Sequence, residues 1–194
     1  MSTAAWSPVS LTVLCAGVGY GHPTRLLADW VTEAVCRSLA AGGARAEVEV
    51  LELHRLAVDL AQRSTHDRVS LDLREAIAAV VAADGLVVAT PVLAASPSEV
   101  FDSFFAALGD EVLCGMPVLL ALNIGSRRQP PDLAQVMRRR LASVRADPVP
   151  TIVVADPADP ADWPAMARSD VARLRACIDR AAAELAVAMR SQRQ

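Results

Sequence analysis

Leu11-Thr12-Val13-Leu14-Cys15-Ala16-Gly17-Val18-Gly19-Tyr20-Gly21-His22-Pro23-Thr24 opens as an apolar run, breaks into glycines and meets a proline. Beyond Pro23 the apolar residues recur at Leu27, Val31, Val35 and Leu39, the spacing of one helical face. A strand, a glycine loop and a helix in that order are the first unit of a parallel α/β sheet. Gly42-Gly43 stops the helix, and residues 46–51, Ala-Glu-Val-Glu-Val-Leu, alternate like a strand with one wet face.

Working outward, residues 54–68 read as irregular and a helix is predicted over about 70–83. Asp84-Gly85 then turns into Leu86-Val87-Val88-Ala89-Thr90, a continuous apolar run of the kind buried on both faces at the centre of a parallel sheet, with Pro91 ending it. Ser96-Pro97-Ser98-Glu99 reads as a helix start with Ser96 as N-cap and Pro97 in the first turn. A second central strand is expected over 117–122, a helix marked by Leu133, Val136, Met137, Leu141 and Val144, and a last strand over 151–154. Residues 157–163 form a loop, and Val171, Leu174, Ile178, Leu185 and Met189 space a closing helix. Five strands alternating with five helices predict an α/β, flavodoxin-like, doubly wound five-stranded parallel sheet of order 2-1-3-4-5. It is read as a single domain over 1–194, with 1–9 and 190–194 as loose termini.

With 194 residues, 53% of them hydrophobic, the chain suits a folded core rather than disorder. All 19 basic residues are Arg, so no mechanism can use a catalytic Lys. A net charge of −3 argues against nucleic acid as a partner, since phosphate-backbone affinity needs clustered positive charge. Nothing basic precedes the apolar run that begins at Leu11, and no small residue stands where a lipoprotein cleavage site needs one, so a cytoplasmic protein without membrane attachment is expected. Cys15, Cys36, Cys114 and Cys177 lie far apart and are expected to be buried free thiols. No His, Cys and carboxylate cluster has metal-ligand spacing.

In a sheet of this order a ligand lies outside the carboxyl ends of the strands, at the switch between strands 1 and 3. The loops at 16–24, 91–96 and 123–130 are therefore the candidates. The first is neither GxGxxG nor a Walker motif: it has no GK[ST], and its third glycine comes one residue early. Its glycines still let the backbone approach an anion, with Thr24 as hydroxyl donor, Arg25 as charge and His22 as a further donor. A tight turn without a ligand is the plainer account. Tyr20 either caps a ring or covers the core, Asn123 reaches a ligand edge or caps its loop, and His54 and His66 are read as solvated. Arg127-Arg128 and Arg138-Arg139-Arg140 have the guanidinium chemistry for a 2′-phosphate, against the plainer reading of a solvated helix face.

The stretches Ala16-Gly17 and Thr24-Arg25-Leu26-Leu27-Ala28-Asp29, then Ala83-Asp84-Gly85-Leu86, Thr90-Pro91-Val92, Ser103-Phe104-Phe105 and Gly115-Met116-Pro117-Val118-Leu119-Leu120, together resemble the NAD(P)H-dependent FMN reductase family, its actinobacterial branch in particular. The resemblance implies an oxidoreductase that passes hydride from NAD(P)H to FMN, with no general base. It implies a phosphate held by Gly17, Gly19, Tyr20, His22, Thr24 and Arg25, a ring edge against Pro91, Val92, Leu93 and Ala94, and a third loop contributing Gly125 and Ser126. It further implies a flavin-dependent monooxygenase as recipient of reduced flavin, and a homodimer or dimer of dimers. Phe101, Phe104 and Phe105 are expected to exceed what one buried face absorbs and so to meet a partner chain.

This chain departs from the family pattern. Gly19, His22 and Pro23 stand where serines are usual, Leu93 replaces an aromatic, and Glu99 and Asp102 replace a glycine and a lysine. If those two carboxylates face the ring, they repel a reduced, anionic flavin and make FMN an exchangeable substrate. The alternative is a flavin-free descendant that acts as a partner subunit or uses the same crevice for another small-molecule reaction.

Overall fold

The structure, a computed structural model, describes residues 8–17, 23–66, 69–93, 96–109, 111–124, 133–156 and 168–193. β1 (Val9–Cys15) is followed by α1 (Pro23–Ala41) and β2 (Ala46–Glu52). A 3-10 turn (Leu53–Leu56), α2 (Ala57–His66) and α3 (Leu71–Val81) then lead to β3 (Gly85–Leu93). β4 (Ser96–Pro97), α4 (Glu99–Leu108), β5 (Pro117–Asn123) and α5 (Leu133–Ser143) come next. β6 (Asp147–Pro148), β7 (Val153–Ala155) and α6 (Arg168–Ser191) close the chain.

The sheet runs β2-β1-β3-β5-β6, with β7 continuing the β6 position against β5, and these pairings are all parallel. That is the predicted order. Side chains alternate across it, so each central strand feeds two cores. Leu86 and Val88 of β3, with Leu120 and Leu122 of β5, face one core, which also holds Leu73, Val80, Phe101, Phe104, Met137 and Leu141. Val87, Ala89, Leu119 and Ala121 face the other, formed by α1 and α6 through Leu27, Val31, Leu39, Ile178 and Leu185. Both faces of β3 and β5 are buried, which is why those strands carry unbroken apolar runs.

Several expectations change at the boundaries. Residues 54–68 are not irregular: α2 forms there, because Leu60 packs to 3% exposure and Arg63 donates to the Ala107 carbonyl at the end of α4. β3 does not stop at Pro91 but continues to Leu93. Ala16 still donates to the Ala89 carbonyl, so the N–H that Pro91 lacks is the one that would carry the ladder with β1 further, while β3 goes on in register with β5 as far as Pro91↔Asn123. Ser96 and Pro97 do not cap α4: they pair antiparallel with Leu93 and Val92, and Ser98 is the cap, its hydroxyl accepting from the Phe101 amide. Regular structure also reaches further at both ends than expected, since Val9 already pairs with Ala46 and α6 runs to Ser191.

The three phenylalanines are no surplus. Positions 101, 104, 105 and 108 share one helical stripe, and all four are 5% exposed or less. Phe101 stacks on Phe105 with centroids 4.4 Å apart, and Phe104 meets Phe105 edge-on at 6.2 Å. The aromatic argument for a partner chain therefore fails, because α2 covers what a second chain was expected to cover. Among the cysteines, Cys15 is buried, Cys36 and Cys177 are half-buried and Cys114 is exposed, so the expectation of four buried thiols holds only in part.

At Gly85 α6 lies close on the sheet: a Cβ there would stand 2.6 Å from Met189 Cγ. Since the Met189 side chain can yield, Gly85→Ala is expected to cost about 1–2 kcal/mol, read as a shifted urea midpoint.

Candidate active site

The carboxyl ends of β1, β2, β3 and β5 define one crevice. Cys15 is level with Glu52 of β2 and Ala89 of β3, whereas β3 and β5 project further, with Pro91 level with Asn123. β1 therefore sits at the bottom of a step, flanked on opposite sides by β2 and β3, and this is the topological switch point. Ala16 donates its N–H to the Ala89 carbonyl at 2.8 Å, which ties the exit of β1 to the wall made by β3.

Of the phosphate residues expected from the sequence, Gly17 is buried directly after β1. Thr24, the second residue of α1, is fully buried. Gly19, Tyr20 and His22 lie outside the described residues. α1 has no acidic residue in its first turn, whereas α3 and α4 begin with Asp72 and with Glu99 and Asp102 respectively. The first-turn amides of a helix carry partial positive charge, so α1 alone of these three offers an anion an uncompensated start.

Arg25 departs from its expected place. Its Nε donates to Asp29 Oδ1 at 2.9 Å and its Nη1 to Glu52 Oε1 at 2.6 Å. The Asp29 hydrogen bond is the main reason its already high pKa is raised further. Glu52, whose side chain is 9% exposed, also accepts Arg55 Nε at 2.8 Å, and His54 Nε2 stands 4.0 Å away. His54 is thus half-buried beside a carboxylate rather than solvated. Spacing along the chain gives no sign of this cluster, because Arg25 and Glu52 are 27 residues apart and meet only when β2 pairs with β1. Cys15 lies beside it, its thiol pKa pushed up chiefly by burial and held back in part by the Gly17 backbone and Arg25, so it stays a protonated, unreactive thiol at neutral pH.

Of the residues expected at the ring edge, Pro91, Val92 and Leu93 lie at the end of β3, above the exit of β1. Val92 is buried, Pro91 is half-buried, and Leu93 ends β3, paired with Ser96 of β4. Ala94, Gly125 and Ser126 lie outside the described residues. Thr90 and Asn123 are buried at the adjacent strand ends, with Thr90 Oγ1 donating to the Pro91 carbonyl at 3.1 Å.

Glu99 and Asp102 do not form a paired acidic face. Glu99 is exposed, and the Asp102 carboxylate is held by Arg140, with Nε to Oδ1 at 3.3 Å. The same contact uses Arg140, and Arg138 donates to the Pro150 carbonyl at 2.7 Å, so these two of the expected 2′-phosphate arginines serve packing; Arg127 and Arg128 lie outside the described residues. Among the described residues no group of side chains could hold a metal ion, and no helix is long and apolar enough to cross a membrane.

The donor set fits an FMN phosphate: a glycine at the strand exit, a buried threonine hydroxyl and the amides of an acid-free helix start. Comparison with known proteins bears on the family alone. A family model described as NADPH-dependent FMN reductase matches residues 9–160. The NADH-dependent FMN reductase SfnE of Pseudomonas putida is 30% identical over 171 residues, covering 88% of this chain and 90% of that protein. SfnF of Pseudomonas fluorescens (strain Pf0-1), also named an NADH-dependent FMN reductase, is 29% identical over 172 residues, covering 89% and 90%. An oxidoreductase from Corynebacterium diphtheriae, solved by X-ray methods, has a TM-score of 0.86 at 36% identity over 95% of this chain and 98% of its own.

Proposed function

From the premise that this chain belongs to the NADPH-dependent FMN reductase family, we propose that it is an NAD(P)H:FMN oxidoreductase whose flavin phosphate rests on the start of α1. The observation that carries the reading is the fully buried Thr24 on an acid-free helix start at the switch point. FMN, when bound, supplies the hydride-accepting ring. The chain's own residues bind and orient. Gly17, Gly19, Tyr20, His22, Thr24 and Arg25 form the phosphate segment, Pro91, Val92, Leu93 and Ala94 the ring edge, and Gly125 and Ser126 the facing loop. The half-buried Pro91 and buried Val92 present an apolar wall that keeps water from one side of the reacting edge. No proton need be moved by a side chain in a direct hydride transfer.

The reduced flavin would pass to a monooxygenase or to a small quinone-like acceptor. Assembly as a homodimer or dimer of dimers belongs to the same reading and rests on the family likeness, the aromatic argument having fallen; sedimentation velocity checks it.

Titration of FMN fluorescence with the protein, followed by oxidation of NADH and of NADPH with and without added FMN, tests the activity. Saturable quenching and FMN-dependent oxidation are expected. Protein that neither quenches FMN nor oxidises either nucleotide would favour the flavin-free alternative. Within the site, Thr24→Val keeps the side-chain shape and removes the hydroxyl, so FMN affinity is expected to fall on the order of tenfold while riboflavin affinity holds. Equal losses for both flavins would remove Thr24 from the phosphate.

A further inference from the structure

We propose that Glu52 is a positioning residue that holds the Arg25 guanidinium off the flavin phosphate and thereby lowers the preference of the site for FMN over riboflavin; this rests on the reading of residues 17–25 as the phosphate segment.

Arg25 directly follows Thr24, so its backbone belongs to the first turn of α1, where the anion is received. Its side chain nevertheless turns to β2. Nη1 meets Glu52 Oε1 at 2.6 Å, and Nε meets Asp29 Oδ1 at 2.9 Å. The two pairs are unlike. Asp29 is half exposed and one helical turn along α1, a pairing that water screens. Glu52 is nine-tenths buried at the last residue of β2, opposite Cys15 and hence beside the exit of β1 into Gly17. Burying a carboxylate to that depth is costly unless cations pair with it, and Arg25 and Arg55 do so. Its demand on Arg25 competes with any phosphate arriving at the same helix start. Bidentate guanidinium geometry serves a carboxylate or a phosphate, but one edge cannot serve both at once.

The consequence is chemical selectivity. The phosphate would be held by neutral donors, the glycine and helix amides and the Thr24 hydroxyl, with its charge largely uncompensated by arginine. Flavin would then be retained weakly through its phosphate, as suits a reductase that exchanges flavin at each turnover. The acid responsible would be Glu52, not Glu99 or Asp102, which the fold turns to solvent and to Arg140.

The experiment compares dissociation constants for FMN and riboflavin in the wild type, Glu52→Gln, the double variant Arg25→Gln/Glu52→Gln, and Arg55→Gln. Glu52→Gln keeps the shape and releases the charge, so FMN is expected to bind about tenfold tighter with riboflavin changed less than about twofold. The gain should vanish in the double variant, because it depends on Arg25. Arg55→Gln disturbs the same cluster without releasing Arg25 and should give no FMN-specific gain, which separates positioning from a general loosening. If Glu52→Gln does not fold, Glu52→Asp, which draws the charge back by one methylene, should give a smaller gain of the same kind. FMN affinity unchanged or weakened relative to riboflavin in the folded variant overturns the proposal, the weakened case meaning that Glu52 presents Arg25 to the phosphate. Failure of the wild type and every variant to bind either flavin overturns the phosphate-segment reading itself, and this inference with it.

Discussion

Phe104→Ala is expected to destabilise the fold by about 3–5 kcal/mol, the largest effect of any single truncation considered, and to lower Tm on the order of 10 °C. Phe104 is fully buried in the core shared by α4, β3 and β5, and its ring meets Phe105 edge-on at 6.2 Å. Truncation removes the apolar area of the ring and leaves a cavity in a core that also holds Leu86, Val88 and Leu120 of the two central strands, where a rigid sheet limits collapse. A loss below about 1 kcal/mol by urea unfolding would mean that α4 packs otherwise than described. The position also discriminates between assemblies. If the phenylalanines served a partner chain, the variant would change oligomeric state at unchanged monomer stability, whereas burial within one chain predicts a loss of stability at every protein concentration.

Glu184→Ala is expected to cost about 2–3 kcal/mol, because it removes two charge-assisted hydrogen bonds made by one carboxylate. Glu184 on α6 accepts the Thr151 amide at 2.8 Å through Oε2 and the Thr151 hydroxyl at 2.7 Å through Oε1. Thr151 stands between β6 and β7, which both pair with β5, so this carboxylate holds the last sheet position in place where strand pairing is interrupted. Glu184→Gln keeps the shape and one acceptor oxygen and should lose roughly half as much. Equal losses in the two variants would show that charge, not the paired acceptor geometry, is what the segment needs. Hydrogen exchange gives a local check, since protection of the Thr151 amide should fall in both variants and that of β3 should not.

The parallel sheet, its order and its two central strands are legible in the sequence because they depend on short-range patterns: apolar runs of strand length, helical spacing after them, and glycine or proline between. Leu86, Val87 and Val88 could hardly be anything but a strand buried on both faces. The start of α3 at Ser70 is legible for the same reason, since its hydroxyl accepts the Leu73 amide, a bond between near neighbours. The glycine-rich exit of β1 and Thr24 beyond it make an anion site an expectation of the sequence, because that chemistry lies in neighbouring residues. Features that depend on pairing across the chain were not legible. Leu53, Leu56 and Leu60 stand at helical spacing before α2 and into it, but only the packing of α4 shows that this face is buried. Pro91 looks like a strand end until the register shows β3 still level with Asn123 of β5 there. The ion pair of Arg25 with Glu52 forms only when β2 brings the carboxylate to its guanidinium across 27 residues of chain. The sequence by itself determined the architecture and the place of the crevice, because local periodicity decides which face of each element is apolar. Only the tertiary structure decided which charges are already spent there, because a side chain's partner is set by strand register and not by distance along the chain.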